Sequence, residues 1–276
     1  MITLDNISYR YARSRVDALE GITAEIGAGI HLLLGENGAG KTTLLQLIAG
    51  LLTPVTGRCL LDGDDLSARR PTVQRRVFFL SDNMELPFGS IAEAARLHAV
   101  FYPTFSAEAL KANLDDFGLT GDEKLKELSL GTRHKALVAY ALALGTDVLL
   151  LDEPANGLDI DSKKTLRRVM ARAMTDERTI IVSTHTVGDL ETLFDGLIML
   201  SRSRLLLCSP TWLIASRLGF VTSASLVPVA LYQEPDLGVF RAIVAGGSDE
   251  SAVNFSLLYS AMMSDARGRI LNALKQ

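Results

Sequence analysis

The sequence predicts an α/β fold with a central, mainly parallel sheet, an N-terminal antiparallel β layer and an inserted helical subdomain. Three observations support this prediction. Apolar residues alternate at 2–9 and again at 19–26, which is typical of strands that bury one face. Farther along the chain, short apolar runs alternate with helical patterns, as in parallel strands joined by right-handed crossovers. A longer helical pattern at 90–117 interrupts this alternation.

The elements of the first half follow in order. Residues 13–17 form the turn between the first two strands. Residues 30–34 are an apolar run short enough for a buried strand, and helix formers dominate 43–49. Two further strands are predicted at 57–61 and 77–80, the second compact and apolar enough for the centre of a sheet.

Helices and strands continue to alternate in the second half. The helical pattern is broken at Tyr102 and Pro103, because proline disfavours a continuous helix. The elements predicted beyond this break are a helix that begins at Ser129, a strand at 147–151, a helix at 161–174, a strand at 178–183 and, after shorter apolar pieces, a final helix near 254–275.

Length and composition limit the classes of function. The 276 residues suffice for a full α/β core with an appended segment, and 48% of them are hydrophobic. The formal net charge is -4 without a long basic run, so we expect no nucleic-acid partner. Cys59 and Cys208 match no metal-binding spacing and are expected to be reduced thiols, and residues 1–10 lack a secretory signal pattern. No apolar stretch approaches the roughly 20 residues that span a bilayer, so any span must come from another chain.

The segment GENGAGKT at 35–42 is the strongest functional signal, because it matches the phosphate-binding pattern G-x-x-x-x-G-K-[ST]. It falls between a predicted strand and a predicted helix, so its glycines allow backbone amides and the helix N-terminus to surround phosphates. Lys41 is expected to reach the β- and γ-phosphates, and Thr42 to offer its hydroxyl to Mg²⁺. The predicted nucleotide-contacting residues here are Gly35, Glu36, Asn37, Gly38, Ala39, Gly40, Lys41, Thr42 and Thr43.

Two acids follow the apolar strand at 147–151. Asp152 and Glu153 are expected at the carboxyl end of that strand, where ligands bind in parallel sheets, and Pro154 ends the strand. Asp152 is predicted to hold Mg²⁺ through water, and Glu153 to orient and activate the water that attacks the γ-phosphate. The alternative, that two solvated acids simply begin a loop, is disfavoured by the phosphate loop upstream.

A further segment, LSLG at 128–131, places Ser129 and Gly131 at a predicted helix start, where anions can bind. Residues 2–218 resemble the ATP-binding cassette (ABC) ATPases, because five segments occur in that family's order and rough spacing: GENGAGKT, LSLG, LLLDEP at 149–154, GLD at 157–159 and STH at 183–185. The resemblance implies a P-loop NTPase fold with ATP and Mg²⁺ as ligands. It also implies two cassettes closing head-to-tail, with Ser129 and Gly131 contacting the ATP of the second cassette. Hydrolysis then needs a dimer, which we expect to be a homodimer.

The same resemblance assigns three further residues. Tyr11 stands where the family places an aromatic ring that stacks on adenine, with Tyr9 as the second candidate; the alternative is that both are ordinary strand residues. His185 matches the histidine that reaches the γ-phosphate after the last core strand. Asp159 matches the acid of the loop that couples the two sites across the dimer. The three other histidines lie in no comparable context.

Two segments depart from the family pattern. Where the family usually has a glutamine that touches Mg²⁺, Asp82 fits best, Asn83 is next in line, and Gln74 lies too early in the chain. A carboxylate at that position can still bind the metal or its water, so Asp82 is predicted to be a third metal-site residue with Thr42 and Asp152. The LSLG form of the signature resembles the bacterial branch that exports drugs, peptides or antibiotics.

The resemblance suggests a division of the chain and a membrane partner. Residues 1–218 are predicted to be the nucleotide-binding domain, with its helical insertion at about 84–145, and 219–276 an extension of unknown role. A separate integral membrane subunit is expected to dock on 84–102 at the cytoplasmic face of the inner or plasma membrane. The candidate docking residues are Phe88, Leu97, Val100 and Phe101. The alternative is that these four are buried against their own domain.

Two other classes of function fit parts of the sequence. Soluble cassette ATPases that act on ribosomes or DNA ends generally carry two cassettes or a long coiled-coil insertion, and this sequence has one phosphate loop and neither feature. A low-turnover regulatory subunit commonly loses its catalytic base, whereas Glu153 is present here. We therefore predict an ATPase that powers transport, and specifically export.

Overall fold

A six-stranded sheet forms the centre of the protein in a computed structural model that describes residues 1–185, 192–247 and 252–275. The strands are β1 (Ile2–Tyr9), β2 (Leu19–Ile26), β3 (Gly29–Leu34), β4 (Thr56–Leu61), β5 (Asp64–Asp65), β6 (Val77–Leu80), β7 (Val148–Asp152), β8 (Thr179–Ser183), β9 (Gly196–Ser201), β10 (Arg204–Pro210), β11 (Leu218–Ser223), β12 (Tyr232–Asp236) and β13 (Val239–Ala245). The α-helices are α1 (Lys41–Ile48), α2 (Pro71–Gln74), α3 (Ile91–Leu97), α4 (Ala107–Asp116), α5 (Leu130–Ala143), α6 (Ile160–Arg172), α7 (Thr211–Arg217), α8 (Phe255–Met262) and α9 (Arg267–Lys275).

The central sheet has the order β10-β9-β3-β8-β7-β6. Strands β6, β7, β8, β3 and β9 run parallel to their neighbours, and only the edge strand β10 pairs antiparallel with β9. Every residue of β7 and β8 is buried, as expected for strands whose two faces are both covered. The predicted mainly parallel sheet is therefore confirmed.

The N-terminal strands form a separate antiparallel sheet with the order β2-β1-β4-β5, as the alternating pattern predicts. Helix α1 lies between this sheet and the central one. Leu44 and Leu45 of α1 belong to a hydrophobic cluster that also contains Ile2, Leu33 and Ile181 from the two sheets. This packing fixes the helix that follows the phosphate loop.

The inserted helices cover the other face of the central sheet. Leu114 of α4 and Tyr140 of α5 join a second hydrophobic cluster together with Phe78 of β6. The predicted break at Tyr102 and Pro103 falls between α3 and α4, where a short 3-10 turn, Ala99–Phe101, ends in extended backbone.

The C-terminal residues form a three-stranded antiparallel sheet, β11-β13-β12, with α7, α8 and α9 around it. Ile243, Phe255 and Ile270 belong to the same hydrophobic cluster as the central sheet, and Phe255 packs edge-on against Phe194 with ring centroids 6.0 Å apart. Within the described ranges, no helix is long and apolar enough to cross a membrane.

The prediction of one continuous final helix is wrong. Helix α8 ends at Met262 and α9 begins at Arg267. Ser264 lies between them, and its hydroxyl donates to the Ala261 carbonyl and accepts from the Ala266 N–H. A serine that bonds nearby backbone groups in this way competes with the helical hydrogen bonds, so the helix is interrupted there.

Candidate nucleotide site

The phosphate loop joins β3 to α1 and is packed too tightly for larger residues at two positions. A Cβ atom on Gly35 would lie 2.5 Å from the Leu200 carbonyl oxygen. Gly40 has a φ of +104°, and a Cβ there would lie 2.6 Å from the Ala18 carbonyl oxygen. Both contacts are with backbone atoms that cannot swing aside, so these two glycines are required for the loop to approach its neighbours.

Lys41 is buried at the first position of α1, and its ammonium group donates to backbone carbonyl groups of the loop. Its Nζ donates to the carbonyl oxygens of Gly35 at 2.8 Å and Glu36 at 3.3 Å. Gly40 caps α1 without a side-chain hydrogen bond, so the first amides of the helix receive no side-chain acceptor from the cap residue. A cation at the N-terminus of a helix that has no side-chain cap is a favourable environment for phosphate.

A cavity of about 600 Å³ opens in front of this loop and brings together four segments of the chain. The lining residues are Tyr11, Ala18, Asn37, Gly38, Gly40, Lys41, Thr42, Thr43, Ser81, Asp82, Asn83, Asp152 and Glu153. The phosphate loop, the end of β6 and the end of β7 thus face one space, as expected where ligands bind at the carboxyl edge of a parallel sheet.

Asp152 is buried at the end of β7 and is fixed by two hydroxyl groups. Thr42 Oγ1 donates to its Oδ2 at 2.7 Å, and Ser183 Oγ donates to its Oδ1. Burying a carboxylate is costly unless a cation or strong donors compensate it. The oxygen-rich arrangement of Thr42 and Asp152 suits a hard divalent cation.

Glu153 directly follows this carboxylate and adopts the left-handed backbone conformation, with a φ of 51°. Its N–H donates to the Ser183 carbonyl oxygen at 3.0 Å. Its Oε1 lies 2.9 Å from Nδ1 of His185, which follows β8. Neighbouring parallel strands therefore bring the predicted base and the predicted histidine into direct contact, although they are 32 residues apart.

Tyr11 lines the cavity, whereas Tyr9 is not among the lining residues. Tyr11 is 43% exposed, and its hydroxyl lies 3.0 Å from Thr43 Oγ1. Tyr9 packs against it edge-on, with ring centroids 5.0 Å apart. Because Tyr11 lines the cavity and is exposed, it is the better placed of the two candidates.

The loop after β6 places Asp82 and Asn83 at the cavity, whereas Gln74 lies outside it. Asp82 Oδ1 accepts from Asn156 Nδ2 at 3.1 Å. The buried His134 of α5 contacts both loops, because its Nε2 lies 3.0 Å from the Asp82 carbonyl oxygen and its Nδ1 lies 3.0 Å from that of Asn156. Sequence reasoning assigned His134 no role, and no local motif could have revealed contacts this distant in sequence.

Ser129, Gly131 and Asp159 lie outside the cavity of their own chain. Ser129 is exposed and caps α5 by accepting from the Thr132 N–H at 3.2 Å. Asp159 caps α6, and its hydrogen bonds with Ser162, together with Lys135, lower the pKa of its carboxyl to about 2. A Cβ on Gly131 would lie 2.5 Å from the Gly157 carbonyl oxygen, so the signature segment packs directly on the loop that contains Asp159.

Comparisons with known proteins agree with this arrangement. Residues 19–156 match the family model for ABC transporter. The uncharacterized ABC transporter ATP-binding protein YtlC of Bacillus subtilis (strain 168) is 31% identical over 207 residues, covering 72% of this chain and 78% of YtlC. Nod factor export ATP-binding protein I of Burkholderia orbicola (strain AU 1054) is 32% identical over 231 residues, covering 79% of this chain and 74% of that protein.

The fold is also shared with a solved structure. The dimeric structure of MJ0796, a bacterial ABC transporter cassette, aligns with a TM-score of 0.64 at 22% identity, covering 76% of this chain and 98% of that one. The family match, the relatives and the fold agree with one another. The chain therefore belongs to the ABC transporter family and is the ATP-binding and ATP-hydrolysing subunit of a transporter.

Proposed function

We propose that this protein powers export by a separate integral membrane subunit, through Mg-ATP hydrolysis in a head-to-tail dimer of two copies. The single observation that carries the proposal is the convergence of the phosphate loop, Asp152 and Glu153 on one cavity. A phosphoryl-transfer site needs a phosphate-binding lysine, Mg²⁺ ligands and a residue that positions the attacking water, and each of these roles has a candidate residue here.

Glu153 is the proposed general base. Its carboxylate is half-buried at the cavity and is held by His185, so it can orient a water and accept a proton from it as the water attacks the γ-phosphate. Lys41 binds the β- and γ-phosphates, and the amides of the loop and of α1 stabilise the charge on their oxygens. Tyr11 stacks on the adenine ring.

Thr42 and Asp152 are the proposed Mg²⁺-site residues, with Asp82 at the rim. No cluster of three or more His, Cys, Asp or Glu residues suited to a metal occurs in the described parts of the chain. A site with so few protein ligands is nevertheless compatible with Mg²⁺, because that ion is commonly held by one or two protein ligands, water and substrate phosphates. When bound, Mg²⁺ neutralises charge on the triphosphate.

The dimer is proposed because the signature residues face outward. Ser129 is exposed and Leu130 is 54% exposed, and neither lines the cavity of its own chain. A second copy in head-to-tail orientation brings Ser129 and Gly131 to the nucleotide on the first copy and Asp159 close to the shared interface. The dimeric assembly of the cassette with the same fold supports this arrangement.

The membrane subunit is proposed to dock beside the inserted helices. A groove of about 950 Å³ lies there, lined in part by Met84 and Phe88. Leu97, Val100 and Phe101 are 45%, 71% and 67% exposed, whereas Phe88 is half-buried against the hydrophobic cluster. Three of the four candidate residues are thus available to an apolar helix of the membrane subunit. The proposed location, at the cytoplasmic face of the inner or plasma membrane, rests on this docking. The relative named for Nod factor export supports the direction of transport.

Charge substitutions in the groove test this function. Val100→Asp with Phe101→Asp is expected to abolish copurification of the integral membrane subunit and leave hydrolysis by the isolated protein within about twofold, because these side chains lie outside the nucleotide cavity. Val229→Asp is the matched control, since Val229 is 76% exposed and lies in the C-terminal region. Intact complex assembly by the double variant would contradict the docking site, and ATP-independent transport by the wild-type complex would contradict the function.

A further inference from the structure

The side chain of Glu36, within the phosphate loop, is held by two segments that lie far along the chain. Its Oε1 accepts from Ser201 Oγ at the end of β9 and from the N–H of Arg202 in the turn that follows, both at 3.0 Å. Its Oε2 accepts from the hydroxyl of Tyr259 in α8, also at 3.0 Å. Burial alone would raise the pKa of Glu36, but these hydrogen bonds outweigh it and lower the pKa, so the side chain is a carboxylate at neutral pH.

Glu36 is also part of the backbone that surrounds the predicted phosphate-binding lysine. Its carbonyl oxygen lies 3.3 Å from Lys41 Nζ and accepts from the Ala39 N–H at 3.1 Å. Holding the Glu36 side chain in place therefore restrains a residue whose backbone contacts Ala39 and Lys41 within the loop. The hydrogen bonds to the Glu36 side chain thus restrain the conformation of the phosphate loop.

Tyr259 is presented by a rigid helix. Phe255, Leu257 and Leu258 of α8 are buried in the main hydrophobic cluster, and Asn254 caps the helix by accepting from the Leu257 N–H at 2.8 Å. The tyrosine hydroxyl therefore contacts Glu36 from a helix that is held in place by its packing in the core.

We propose that Tyr259 is a positioning residue of the nucleotide site: its hydrogen bond to Glu36 holds the phosphate loop in the conformation that binds the triphosphate. The C-terminal segment then contributes to ATP binding, although it lies outside the matched residues 19–156. The inference rests on the proposed phosphate-loop site, but not on export or on the membrane subunit.

Steady-state hydrolysis of Mg-ATP by the full-length Tyr259→Phe variant tests this inference. The change removes one hydrogen bond to a charged group, so we expect KM for Mg-ATP to rise about three- to tenfold while kcat stays within about twofold. Tyr102→Phe is the matched control, because it makes the same chemical change at a tyrosine that packs against Phe78 and does not line the nucleotide cavity, and its KM should be unchanged. An unaltered KM in Tyr259→Phe overturns the inference, whether or not its Tm falls.

A double-mutant cycle separates positioning from general packing. In a Glu36→Gln background, adding Tyr259→Phe should raise KM by less than twofold, because the charged acceptor is already gone. Full additivity of the two effects would refute the coupling. If Tyr259→Phe does not fold, Ser201→Ala takes its place, since it removes another donor to the same carboxylate, and a normal KM in that variant would refute the role of the anchor.

Lys41→Ala distinguishes failure of the inference from failure of the site. Loss of Mg-ATP binding in Lys41→Ala together with a normal KM in Tyr259→Phe would refute the positioning role alone. Normal Mg-ATP binding in Lys41→Ala would refute the phosphate-loop assignment itself, and the inference with it.

Discussion

Glu153 occupies a backbone conformation that a side chain disfavours, next to the cavity where it is proposed to act. Its φ of 51° is unusual for a residue other than glycine, asparagine or aspartate. Strain of this kind is retained where the surrounding structure fixes it, and here the Ser183 carbonyl oxygen and His185 do so. In this conformation Glu153 lines the cavity.

Replacing this carboxylate by an amide tests its role. Glu153→Gln is expected to slow ATP hydrolysis by about 10² or more, since glutamine keeps the size of the side chain but cannot accept the proton from water. Equilibrium binding of Mg-ATP should be retained. Turnover is measured by phosphate release, with Glu108→Gln on the exposed start of α4 as the control. Normal turnover in Glu153→Gln would remove this residue from the catalytic role and favour a different base.

Two histidines make stability depend on pH. Burial lowers the pKa of His98 and of His31 below the ordinary value of 6.5, and for His31 this outweighs the hydrogen bond to the Gly27 carbonyl. The unfolded chain therefore binds more protons than the folded one as pH falls below about 6.5, so the free energy of unfolding should decrease from pH 7.5 to pH 5.5. Urea denaturation across this range measures the slope.

His98→Phe isolates one of these contributions. The phenyl ring keeps the packing against Phe78, Tyr102 and Tyr140 but does not titrate. It also loses the hydrogen bond between His98 Nδ1 and the Tyr140 hydroxyl, which lowers the stability at every pH, so the pH dependence and not the absolute stability is compared. We expect the pH dependence of the unfolding free energy to become shallower, and an unchanged slope would show that His98 stays equally protonated in both states.

At the scale of elements, the C-terminal helices complete the hydrophobic core. Phe255, Leu258 and Ile270 are essentially inaccessible to solvent and belong to the cluster that covers the central sheet. Each large apolar side chain that is fully buried contributes about 1.5–3 kcal/mol, so the removal of several is comparable to the total stability of a domain.

Truncation after Leu218 should therefore yield a protein that is aggregated or unfolds at a much lower temperature. Thermal unfolding followed by circular dichroism measures this, with deletion of only residues 275 and 276 as the control, because Lys275 is exposed. A truncated chain with unchanged Tm would show that the extension is a separable appendage rather than a part of the core.

The sequence predicts those elements whose signals are local. Alternating apolar residues locate the strands β1 and β2, and short buried runs locate β7 and β8. The sheet formed by β11, β12 and β13 was not predicted, because prolines and glycines interrupt its apolar runs. The split between α8 and α9 depends on the bonds of one serine side chain, which no periodicity reveals.

In the candidate site, too, residues within contiguous motifs could be predicted from the sequence, whereas contacts between distant segments could not. The phosphate loop and the acids after β7 are contiguous motifs, so their positions could be found from sequence. The contacts of His134 with Asp82 and of Tyr259 with Glu36 join residues 52 and 223 positions apart, and they depend on how the elements pack. The role of Asp82 at the metal remains a prediction.

On the scale of the whole molecule, one copy provides only part of the proposed nucleotide site. The cavity contains the phosphate loop, Asp152 and Glu153, whereas Ser129 and Gly131 lie on another part of the surface. The packing of Gly131 against Gly157 links the signature segment to the loop that follows Glu153. Closure of two copies would therefore place each signature segment, and the loop attached to it, at the other copy's nucleotide.

The molar mass of the Glu153→Gln variant in Mg-ATP, measured by light scattering after size-exclusion chromatography, tests this arrangement most directly. Slow hydrolysis should preserve the closed state, so the account predicts a dimer with Mg-ATP, monomers without nucleotide, and monomers again when Ser129→Glu is added to the same variant. Monomers alone in saturating Mg-ATP, even with the membrane subunit present, would contradict the shared site.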